Sequence, residues 1–223
     1  MFTKTHIGRI LGIALLAAFL AHPTLAHGQA APATSCRVDT TSSHVYARVD
    51  TATRLGHVHG IEGKLAAGSL ELGGAGDLVF DITSFIADTP EAREYIGLEP
   101  KFSRSDAKKV QANMLGSDVL DAAQFPKAVY TARSIRPLDG QQAGHPGHYQ
   151  FDGQFTLHGV SRPLQFNAEA KQTDKPGALH VIGSFTINQT DYGIQPYSAL
   201  GGFIKVADQL TIWGDLILLP VNR

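Results

Sequence analysis

The 223-residue sequence has one cysteine, one tryptophan and two methionines, and only 17% of its residues are charged. A lone cysteine excludes any disulfide within the chain, even in an oxidising compartment. There is no basic excess, with 19 Lys and Arg against 20 Asp and Glu, so no field is present to hold a phosphate backbone. A nucleic-acid partner is therefore not expected. Disorder is excluded from the other side, because the net charge is only −1 while 43% of the residues are hydrophobic. Several catalytic patterns are also missing: there is no G-x-S-x-G elbow, no H-E-x-x-H pair and no glycine-rich phosphate loop.

Long apolar runs are lacking too. The longest, Ile10–Ala21, is too short for a hydrocarbon core of about 30 Å. It follows Lys4 and Arg9 and precedes Pro23 and the small-residue ending Thr24-Leu25-Ala26, which is the layout of a secretory signal peptide. The sequence thus predicts a signal over residues 1–26, cut after Ala26 with Ala30 as the alternative. A flexible stretch over 27–35 and a single domain over 36–223 would follow. Removing the signal takes away two basic residues and no acidic ones, leaving a net charge of about −3. The exported product is expected to be soluble and not integral to the membrane. Cys36, set among Thr34, Ser35 and Thr40, reads as a spectator rather than a reactive thiol.

What the chain does have is glycine, at 23 residues, and a period-two hydrophobic pattern. Leu78, Phe80 and Ile82 share a face, as do Tyr149, Phe151, Phe155 and Leu157. The same holds for Leu164, Phe166, Ala168 and Ala170; for Leu179, Val181, Phe185 and Ile187; and for Leu210, Ile212, Leu216 and Leu218. Further strands are expected at Val45–Val49, His57–Leu65, Leu70–Leu72 and Ala128–Ile135, eight or nine in all. Residues 84–126 break the rhythm and predict one or two short helices, over Pro90–Tyr95 and Ser103–Leu115, the second capped by Ser103 or Ser105 and striped by Val110, Met114 and Leu115. Strands with one apolar and one polar face form antiparallel sheet, closed as a sandwich or a barrel. The alternation does not distinguish a filled core from a ligand cavity.

Two stretches carry a resemblance. Residues 113–126 (NMLGSDVLDAAQFP) and 153–163 (GQFTLHGVSRP) are similar to the helix-to-strand passage and the strand pair of YceI-like proteins, and 187–194 (INQTDYGI) fits the pattern before the final strands. The resemblance implies an all-β fold: an extended, lipocalin-like antiparallel barrel of about eight strands, secreted to the periplasm, with a polyisoprenoid or other long-chain lipid in its interior. Two places depart from the family pattern. Gln189 stands where relatives often carry Arg, and the strand at 57–65 lacks their aromatic after the second glycine. Arg162 keeps a basic residue at the tip between the matched strands.

The shared strand faces nominate Leu78, Phe80, Phe151, Phe155, Leu157, Phe166, Phe185, Ile187, Leu210 and Ile212 as walls of a lipid site. No catalytic residue, resident metal or cofactor is expected. The alternative is a metal-binding protein or metal-dependent enzyme built on His57 and His59, which point the same way on a strand, with His44 or His158 as partner. Asp118 and Asp121 form a nearby carboxylate pair, but Asp121 reads as the cap of a short turn. A homodimer is compatible with the sequence.

Overall fold

A computed structural model of the chain describes Met1 and residues 34–138 and 140–221; the expected signal segment lies outside the described residues. The described residues from Thr34 onward form one unit. In chain order the elements are β1 (Thr34–Val38), β2 (His44–Thr51), β3 (His59–Leu72), β4 (Gly76–Ala87), α1 (Pro90–Tyr95), α2 (Arg104–Leu115), β5 (Lys127–Pro137), β6 (Gly147–Leu157), β7 (Val160–Gln172), β8 (Leu179–Asn188), β9 (Ser198–Ala199) and β10 (Ile204–Pro220).

Strands β2 to β8 pair with their sequence neighbours, antiparallel throughout, apart from the α1–α2 excursion between β4 and β5. β10 then pairs with β8 on one side and β2 on the other, which closes an eight-stranded barrel. Closure leaves no long edge to template aggregation. β1 acts as an extension of β2. Both run antiparallel to β3 and to β10, with Cys36 opposite Leu70 and Val45 opposite Gly63. The gap between them is spliced to β10: Asp39 N–H donates to Ile217 O at 2.8 Å, and the buried Ser43 Oγ accepts from Ile217 N–H at 2.9 Å. Thr34 and Ser35, expected in a flexible segment, are therefore paired strand residues. Cys36 faces the core, where burial pushes its thiol up.

The expected strands at His57–Leu65 and Leu70–Leu72 are one continuous β3. A bulge between Leu65 and Ala67 adds a residue, so the inward set changes from Ile61 and Leu65 to Leu70 and Leu72. A similar irregularity between Ala132 and Ser134 moves the inward set of β5 from Tyr130 and Ala132 to Ile135. Gly153 sits opposite that bend, where a Cβ would come within 2.1 Å of Thr131 O. The strand needs glycine there for close backbone approach.

The two helices begin as the caps dictate. Thr89 Oγ1 accepts from Ala92 N–H at 3.0 Å at the start of α1, and Ser103 Oγ accepts from Asp106 N–H at 3.4 Å at the start of α2. Gly60, on β3, leaves room for α1, since a Cβ would lie 3.0 Å from Ala92 C and O. No helix among the described residues is long and apolar enough to cross a membrane.

Candidate functional site

The inward faces of β2, β3, β4, β5, β6, β8 and β10 enclose a cavity of about 400 Å³. Its apolar strand walls are Val45, Ala47 and Val49 from β2, Ile61 from β3, Phe80, Ile82 and Phe85 from β4, Ala128 from β5, Phe155 and Leu157 from β6, Phe185 from β8, and Ile204, Val206, Leu210 and Ile212 from β10. α2 lies against β4 and covers one side with Val110 and Met114, four residues apart on one helical face. No residue of α2 is itself buried, so this cover is held by few contacts. Phe85 takes its place because Gly63 has no side chain: a Cβ there would stand 2.2 Å from the Phe85 ring.

Polar groups gather at one end, where His57, His59, Asp106, Lys109, Gln189 and Lys205 contribute to the lining. A buried charge network fixes this mouth. Asp88, whose side chain has no exposed surface, takes His59 Nδ1 at 2.7 Å, Arg93 Nη1 at 2.8 Å and Gly60 N–H at 3.2 Å. Burial pushes the Asp88 carboxyl up, but the hydrogen bonds from His59 and Arg93, the His59 charge and the Gly60 amide together hold it below its ordinary value. Arg93 Nε donates to Glu99 O at 2.6 Å, which ties α1 to the segment that follows it. The Arg93 guanidinium lies 4.8 Å from the Phe102 ring centroid, and His57 and His59 meet the same ring edge-on at 5.8 and 5.6 Å. Phe102 is thus clamped into the cavity wall by three side chains.

The opposite end of the bore is filled with rings. Phe151 stacks on Phe166 with centroids 5.0 Å apart, and Phe166 also meets Tyr130 at 5.2 Å and Phe185 at 5.3 Å. A void of about 30 Å³ is enclosed there, with Leu78, Phe151, Phe166 and Val181 among its walls.

Of the ten side chains nominated from strand faces, Phe80, Phe155, Leu157, Phe185, Leu210 and Ile212 line the main cavity. Leu78, Phe151 and Phe166 belong to the packed end, and Ile187 is buried in the core without being part of the cavity wall. Sequence reasoning missed the walls supplied by α2, Phe85, Phe102 and β2. The stripe Val110–Met114 was the available signal for the helix. Phe102, in an irregular segment, gave none.

The four histidines weighed as metal ligands have other partners, and of them only His57 and His59 share one, the Phe102 ring. His59 is held by Asp88, His44 Nδ1 pairs with Glu62 Oε1 at 2.9 Å, His158 packs on Phe125 at 4.4 Å between centroids, and His57 faces Phe102. Among the described residues no group of three or more His, Cys, Asp and Glu is placed to hold a metal ion. Asp121 turns the chain, with Gln124 N–H and Phe125 N–H donating to its carbonyl at 2.9 and 2.8 Å. Gln189 is buried and donates through Nε2 to Ala207 O at 2.8 Å. Arg162 Nε reaches Asp191 O at 2.9 Å outside the cavity.

Residues 37–217 match the family model described as YceI-like domain. The chain belongs to the YceI-like family. Comparison with the curated proteins yields no match. Solved structures with a similar fold include Burkholderia cenocepacia BcnA, at 17% identity and a TM-score of 0.53, covering 81% of this chain and 98% of that one. A second is a polyisoprenoid binding domain from Saccharophagus degradans implicated in plant cell wall breakdown, at 12% identity and a TM-score of 0.57, covering 84% and 99%. At these identities the likeness extends to the fold.

Proposed function

We propose that this YceI-like protein is a periplasmic carrier that holds the apolar chain of an isoprenoid-type lipid inside its barrel, and that it binds rather than catalyses. The observation that carries this reading is the cavity of about 400 Å³ walled by aliphatic and aromatic side chains, with polar groups confined to one end. Each buried methylene of a ligand contributes about 0.8 kcal/mol, so an apolar chain supplies affinity without any charged partner. The neutral Gln189 at the wall agrees with an uncharged tail. The fold shared with a polyisoprenoid binding domain supports the same ligand class. Export rests on residues 1–26, and the mass of the protein isolated from its host tests it: a mature chain beginning at His27 is expected.

The ligand reading is tested by native mass spectrometry and solvent extraction of protein purified from its own host. A bound prenyl lipid, lost on extraction, is the expected result. A protein that is always empty and takes up no prenyl lipid of any chain length contradicts the reading. Phe155→Asp, which places a carboxylate in the cavity wall, should abolish uptake.

A further inference from the structure

The cavity stops part-way along the barrel. Its lining on β2 runs from Val45 to Thr51, which is about 20 Å of strand at about 3.3 Å per residue. A strand tilt of about 40° converts this to about 15 Å along the barrel axis. Beyond that depth Phe166 sits at the hub of the aromatic cluster, its ring 5.0 to 5.3 Å from those of Phe151, Tyr130 and Phe185. Gly183 makes this possible, because a Cβ there would stand 3.2 Å from Phe166 Cε2. The void of about 30 Å³ in this half has room for about two water molecules, at about 10–15 Å³ each, and is too small for a chain. Further along still, Leu72, Ile135 and Leu218 have no exposed surface.

We infer that the site is a blind pocket floored by the Phe166 cluster, and that its ligands are short prenyl chains of about three isoprene units rather than long polyprenols threaded through the barrel. This rests on the lipid-binding reading above and adds a length to it. Three consecutive backbone bonds of an extended chain reach at most about 3.6 Å, so about 15 Å of depth takes about twelve carbon–carbon bonds. An isoprene unit supplies four such bonds to the main chain. Every carbon beyond that depth stays outside and forfeits about a fourfold gain in affinity. A long chain offered by a membrane therefore does better to remain there, while a short one enters whole.

The test is a competition. Vesicles carrying equimolar prenyl alcohols of two to eight units are mixed with the delipidated mature protein, and native mass spectrometry reads which alcohol is retained. The inference predicts a maximum at three or four units, with eight units retained at least about tenfold less. Phe166→Ala, which removes the floor, should move the maximum to longer chains. Ala47→Leu, which narrows the wall without touching the floor, should move it to shorter ones and serves if Phe166→Ala does not fold. Retention of the eight-unit alcohol equal to or above the three-unit one by wild type overturns the inference and leaves the lipid-binding reading standing. Retention of no alcohol of any length overturns both.

Discussion

At the scale of single residues, Asp88 governs the cavity mouth. It sits with a positive φ of 54° just past β4, and three donors converge on its carboxylate. Replacing it by Ala strands the guanidinium of Arg93, which is itself buried. Breaking a buried pair from one side costs about 3–5 kcal/mol, and urea unfolding of Asp88→Ala should show a loss of that size. The carboxylate also sets a pH dependence. Its value in the folded protein is below the ordinary one, so its stabilisation is present above about pH 4, the usual carboxylate value, and is lost as pH falls through the lower folded value. Urea midpoints measured between pH 6 and pH 2.5 should fall for the wild type, and fall less steeply for Asp88→Asn. Nothing in the sequence singled out Asp88 or Arg93. Their pairing depends on where β4 ends and α1 begins, and neighbouring charges are common in any chain.

At the scale of elements, the period-two pattern was legible wherever a strand stayed regular. β8, read from the face Leu179 to Ile187, and β6, read from the face Tyr149 to Leu157, match the strands closely because Val181, Phe185, Phe151 and Phe155 keep to one face without a slip. β3 was read as two pieces because the bulge at Ala66–Ala67 changes which residues face inward, and such a slip looks the same as a break. β1, with Thr34 and Ser35 leading into Cys36, has too few apolar residues to announce a strand; β10 and β3 impose it from either side. Gly153 is an element-scale requirement. Gly153→Ala drives a Cβ into backbone rather than into a movable side chain, and a loss of about 1–3 kcal/mol in thermal or urea unfolding is expected. The helix α2 should behave in the opposite way, since it caps the cavity but buries none of its own residues. Amide hydrogen exchange should be fast along Arg104–Leu115 and slow in β6, and added prenyl lipid should slow exchange in α2.

At the scale of the whole molecule, the closed barrel accounts for most of the hydrophobic content noted in the sequence. The alternation placed apolar side chains on one continuous inner surface, and the YceI-like resemblance named the architecture. Neither showed how that surface divides. Phe151 shares the inward face of β6 with Phe155, and Phe166 of β7 points inward like Phe185 of β8, yet Phe151 and Phe166 fill the bore while Phe155 and Phe185 also line open space. That division depends on axial position around the barrel, which strand tilt and bulges set and which a single strand's pattern does not carry. The cover by α2 and the Phe102 clamp likewise depend on a loop path that period-two reasoning does not address. The central claim is that the open half of the barrel holds an apolar chain. A crystal structure of protein purified from its own host tests it most directly. The account predicts continuous, unbranched or methyl-branched density running from the mouth near His57 and Lys205 past Phe155 and ending at Phe185 and Phe166. Ordered water filling that space, or lipid density lying only on the outside of the barrel, would contradict it.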